Sequence, residues 1–212
     1  GAMLAALAVY VLSLQRGRTN LAALLLAGIA LNAVLGALTS VLLLRTADFN
    51  AMRTVLTWLV GSLEGRGWDY FRVIQWPILA AAGLILLYSR DLNLLLIGEE
   101  SAQALGVNVA RTRLIVLALA SLLTASAVSV AGSISFVGLI VPHILRLIIG
   151  PDHRVLLPAS LLGGAAFLVL ADAVARTVIA PELLPVGTVT ALVGGPFFLL
   201  LLWRNRRRIA VF

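Results

Sequence analysis

Of the chain's 212 residues, 61% are hydrophobic and only 12% are charged, whereas water-soluble domains sit near 45–50% and about 25%. A soluble core cannot hide that much apolar surface, so lipid has to solvate most of the chain. The net charge of +7 rests on arginine alone, with no lysine; because the arginines fall between apolar runs, the pattern is one of membrane topology and excludes a nucleic-acid face.

Taken in chain order, the first apolar run is Ala2–Leu14. It is shorter than the ~20 residues a span needs, and it lacks the basic start of a signal peptide. The expectation is a chain that begins inside a helix, that is, an N-terminally truncated protein. Leu21–Leu44 follows as a full span. Thr54–Ser62, flanked by Arg53 and Glu64, is too short to cross and reads as an outer half-helix. Val73–Tyr88 is the next span, and Asp91–Arg113 is a long connection with its own helical pattern. Leu114–Ala131, Ile134–Ile149, Val155–Ala171 and Val186–Trp203 complete the set. Pro142, His143 and Arg146 mark Ile134–Ile149 as broken or partly enclosed in protein. The fold class is therefore an all-α polytopic transmembrane bundle, a single domain of about seven spans.

Arginine placement orients the chain. The tail cluster Arg204, Arg206, Arg207 and Arg208 is assigned to the cytoplasm. Alternating loops then put Arg16, Arg18, Arg90, Arg111, Arg113, Arg146 and Arg154 on the same side, and Arg45, Arg53, Arg66, Arg72 and Arg176 outside. The bias supports a cytoplasmic C-terminus.

Several chemistries are missing. The span centres carry no Asp, Glu, Lys or Arg, which argues against the alternative of an ion-coupled secondary transporter, since a coupling ion needs a ligand at depth. A P-loop needs a lysine to reach the phosphates, so ATP, if used, binds a separate chain; the expectation is no cofactor and no enzymatic activity here. His143 and His153 stand apart without a close third ligand except Asp152, and no metal site is expected.

Small residues recur at helical spacing. Gly28, Asn32 and Gly36 share one face of Leu21–Leu44, and Gly187, Ala191 and Gly195 share one face of Val186–Trp203, with Thr188 beside it. Such faces let helix backbones approach. They read either as ordinary packing or as the wall of a translocation pathway.

Three stretches are more specific. One is Gly98-Glu99-Glu100-Ser101-Ala102-Gln103-Ala104-Leu105-Gly106 in the long connection. The second runs from Gly132-Ser133-Ile134-Ser135-Phe136 through Pro142-His143-Ile144-Leu145-Arg146 to Gly150-Pro151-Asp152-His153-Arg154. The third comprises Ala171-Asp172-Ala173-Val174-Ala175-Arg176, Leu184-Pro185-Val186-Gly187 and Gly194-Gly195-Pro196. In this order they resemble the FecCD-type permeases, type II ABC importers of iron–siderophore complexes, haem and cobalamin, from about Leu24 to Arg204.

The resemblance implies a permease of about ten spans per subunit in the bacterial inner membrane, of which this chain would be the C-terminal two thirds. It also implies a homodimer or a paired permease, a cytoplasmic ATPase dimer and a periplasmic substrate-binding protein. On the matching motifs, Glu99, Glu100, Ala102 and Gly106 would couple to the ATPase, and Arg176 would pair with an acidic residue of the binding protein. The family's cytoplasmic gate would fall at Thr19 and Asn20, where this chain lacks the family's Thr-Ser pair; Leu183 stands where the family usually has an acid.

Overall fold

The computed structural model describes residues 2–15, 18–19, 21–45 and 48–209. Among these, the chain forms α1 (Ala2–Ser13), a two-residue antiparallel pair β1 (Leu14–Gln15) and β2 (Arg18–Thr19), then α2 (Leu21–Leu44), α3 (Phe49–Val60), α4 (Trp68–Leu87), α5 (Ser89–Leu95), α6 (Glu99–Ala104), α7 (Val109–Ala131), α8 (Val137–Ile149), α9 (His153–Thr177) and α10 (Val186–Ile209). The all-α expectation holds. The ladder between α1 and α2 pairs Leu14 with Thr19 and Gln15 with Arg18. Thr19 thus lies in β2, while Asn20 falls outside the described residues.

Four described helices are long and apolar enough to cross a membrane: Ala22–Leu44, Trp68–Leu87, Val109–Ala131 and His153–Thr177. Three shorter apolar helices accompany them, at Leu4–Ser13, Val137–Ile149 and Val186–Leu201. The run read as Ile134–Ile149 gives a helix only from Val137. Phe136 occupies the left-handed region (φ 67°) and ends the preceding irregular turn. Its 13 residues reach about 20 Å at 1.5 Å per residue, short of a ~30 Å hydrocarbon core. Pro142 sits inside this helix without ending it. The short helix read at Thr54–Ser62 starts earlier than its apolar run, at Phe49, where the Asp48 carboxylate accepts from the Asn50 N–H at 2.9 Å. At the start of α9 the Asp152 carboxylate takes the Arg154 N–H at 2.9 Å and caps the helix.

The chain divides into two compact units, Gly1–Leu56 with Arg72–Ala127 and Thr57–Phe71 with Val128–Phe212. In the first, α1 packs on α2, and α5 on α6. In the second, α9 packs against α8 and α10. Among the described residues, fully buried side chains are few, and many large apolar ones are exposed, Leu26, Val73, Leu147, Leu162 and Leu192 among them. Solvation by lipid or by further protein is the physical way to accommodate such a surface.

Candidate functional site

The first unit holds the acidic element singled out in the sequence. Helix α5 tightens at its end, with the N–H groups of Leu96, Ile97 and Gly98 donating three residues back, to Asn93, Leu94 and Leu95 at 3.2, 3.1 and 3.3 Å. Gly98 then turns the chain at φ 120° and ψ 154°, a region open essentially to glycine alone. Glu99 and Glu100 fill the first turn of α6, where the exposed N–H groups favour negative charge.

A Schellman closure ends α6. Val107 N–H donates to the Ala102 carbonyl at 3.0 Å and Gly106 N–H to the Gln103 carbonyl at 2.9 Å, with Gly106 at φ 88°. The apolar contact that accompanies this motif is present: Ala102, Val107 and Val109 form a small core with Leu94 and Leu95 against it. Asn108 next caps α7, its Oδ1 accepting from the Arg111 N–H at 3.0 Å. The helix therefore begins at Val109, five residues before the apolar run Leu114–Ala131, because a first turn bearing Arg111 and Arg113 is compatible with helix.

The candidate coupling residues separate by environment. Ala102 is fully buried and serves the core of the element. Glu99 accepts a close charged hydrogen bond from the Arg113 guanidinium on α7. Glu100 is exposed and makes no hydrogen bond or ion pair among the described residues. Ile97 and Leu105, neither of them among the candidate coupling residues, are 68% and 60% exposed at the two ends of α6. Two large apolar groups thus stand beside the unpaired Glu100 carboxylate on one surface turn. The signal was available in the sequence, as apolar residues flanking an acidic helix outside any span.

The second unit carries a junction of three glycines. Gly61 follows α3, Gly132 follows α7 and Gly187 opens α10, and backbone bonds tie them: Ser62 N–H to the Ala131 carbonyl at 2.8 Å, Ser133 N–H to Trp58 at 3.2 Å and Gly187 N–H to Gly61 at 3.1 Å. A Cβ on Gly132 would lie 2.3 Å from the Trp58 oxygen, and one on Gly187 1.7 Å from the Val60 oxygen. The small face read on α10 is thus occupied at Gly187, whereas Ala191 is exposed and a Cβ on Gly195 would meet nothing within 4 Å. The face of α10 that packs inside this unit runs instead through Gly187, Thr190 and Gly194: Thr190 is fully buried, with Oγ1 donating to the Gly187 carbonyl at 3.1 Å, and Gly194 faces the Phe136 ring. Thr188 is half-buried beside it. In the first unit, Gly28 and Gly36 have open space where a Cβ would stand, and Asn32 is exposed.

Arg176 lies in the last turn of α9, half exposed, its Nε donating to Asp172 Oδ2 at 2.7 Å, with Glu64 close enough to add to the acidic field. One edge of the guanidinium is held and the Nη groups bond nothing else among the described residues. His143 packs edge-on to Phe197 with centroids 6.1 Å apart. No cluster of three or more metal-ligating residues occurs among the described residues.

Comparison with known proteins agrees with this layout. The sequence model of the FecCD transport family matches residues 1–204. The cobalamin import system permease protein BtuC of Halobacterium salinarum is 49% identical over 202 residues, covering 95% of this chain and 54% of that protein. The hemin transport system permease protein HmuU of Yersinia pestis is 46% identical over 211 residues, covering 98% and 63%. A solved structure described as an inward-facing conformation of a metal-chelate type ABC transporter superposes with a TM-score of 0.81 at 36% identity, covering 87% of this chain and 60% of that one. The chain therefore spans less than two thirds of the length of these relatives. With four membrane-length helices and a match over nearly its whole length, this multi-pass membrane protein belongs to the FecCD transport family.

Proposed function

We propose that the chain is the permease part of an ATP-binding-cassette importer in the inner membrane, moving an iron–siderophore, haem or cobalamin-type substrate from periplasm to cytoplasm. The observation that carries the reading is the α5–α6 element: a compact, glycine-framed pair of short helices that presents Glu100 between exposed Ile97 and Leu105. A rigid knob of that kind fits a groove in a cytoplasmic ATPase and passes its motion on to a spanning helix. The arginine-rich tail and the arginines near this element support its assignment to the cytoplasmic side. Arg176, at the other end of the topology, offers a charged contact to a periplasmic binding protein, and such rim charges steer encounter and register. The pathway wall would include α2, whose apolar, sparsely packed face suits a bulky cargo that must not be held tightly. Relatives named for cobalamin and hemin import support the substrate class. Reconstitution of the complete transporter in vesicles tests the reading: ATP-dependent accumulation of one of these substrates supports it, and uptake driven by an ion gradient with no ATPase present rejects it.

A further inference from the structure

Short helices α5 and α6 meet the start of α7 at the small apolar core of Ala102, Val107 and Val109. A cavity of about 480 Å³ opens in this unit with Tyr10, Leu24, Leu92, Val116, Glu99 and Arg113 in its lining. Beyond that core, polar links among the described residues join α7 to each of the two short helices. Thr112 Oγ1 donates to Asp91 Oδ2 of α5 at 3.2 Å, and the Arg113 guanidinium donates to Glu99 Oε1 of α6. Thr112 and Arg113 are consecutive in α7, so each holds one of the two short helices.

Resting on the importer reading above, we propose that Thr112 and Arg113 are positioning residues that make α5, α6 and the start of α7 move as one body. Glu99 is committed to this strut, and Glu100 is the carboxylate left to face the ATPase. The adjacent glutamates of one motif thereby have opposite duties, one within the chain and one across the interface. An ion pair this exposed adds little to stability, so its removal leaves folded protein intact while letting the knob rotate.

The test uses the reconstituted full transporter with Glu99→Arg, Arg113→Glu and the double exchange. Each single variant should retain ATPase in the purified complex and lose about threefold or more in substrate moved per ATP, a loss of the size expected for an exposed pair. The double exchange should return to within about twofold of the parent. Thr112→Val should reduce the ratio while Thr112→Ser preserves it; these near-isosteric changes keep the test decisive if a charge reversal fails to fold. Loss of ATPase from the Glu99→Arg complex, or unchanged transport per ATP in all single variants, overturns the strut. Failure of the parent transporter to use ATP would instead overturn the importer reading, so the two are distinguishable.

Discussion

Gly187 donates its backbone N–H to the carbonyl of Gly61 at 3.1 Å, and a Cβ on Gly187 would stand 1.7 Å from the neighbouring Val60 oxygen. The atom it meets belongs to backbone and a Cβ has no rotamer to change, so no side-chain movement relieves the clash. Gly187→Ala should therefore separate α10 from the end of α3 and cost about 3 kcal/mol, the upper range for overpacking. Gly195→Ala, with nothing within 4 Å of the new methyl, should be neutral or gain up to about 1 kcal/mol from helix propensity. Thermal unfolding of the two variants in one detergent provides the comparison.

At Gly106 the backbone sits at φ 88° and its N–H closes the end of α6. Alanine there should cost about 1–2 kcal/mol in left-handed strain. Proline, fixed near −65° and lacking the N–H, removes the turn itself. Gly106→Pro should insert into the membrane normally and transport nothing, read by surface-accessible tag labelling beside substrate uptake.

Ile97 and Leu105 form the apolar part of the proposed ATPase contact, whereas Ala102 is enclosed. Ile97→Asp or Leu105→Asp should lower ATPase recovery by tenfold or more, about 1.4 kcal/mol or more, with no change in the permease's own melting. Ala102→Leu should act differently, by overfilling the core and lowering the melting temperature first.

Arg176 keeps one guanidinium edge on Asp172. Arg176→Glu places a third acid near Asp172 and Glu64, so binding-protein association should slow by about tenfold at low salt and lose its salt dependence. Surface plasmon resonance on nanodisc-embedded transporter at two ionic strengths reads both effects.

The long apolar runs made the spanning helices legible, because hydrocarbon imposes length and composition directly. Their ends were less so. Arg111 and Arg113 looked like a boundary, yet the Asn108 cap places them inside α7. The glycine junction escaped notice because Gly61, Gly132 and Gly187 lie far apart in sequence, and no periodicity links three chain crossings. Helical spacing on α10 selected Gly187, Ala191 and Gly195; inside this unit Gly187 packs together with Thr190 and Gly194, the last set by Phe136 from another segment. Glu99 and Glu100 were indistinguishable as neighbours of one type; only the return of α7, bringing Arg113 alongside, separates them.

The proposed import depends on an ATPase docking at α5–α6. Purifying the full tagged permease from its native membrane, alongside a Glu100→Arg variant, tests it most directly. A P-loop ATPase should be recovered in about equal amount with the parent and reduced at least tenfold with the variant. Equal recovery in both, or no ATPase with either while uptake continues, would contradict it.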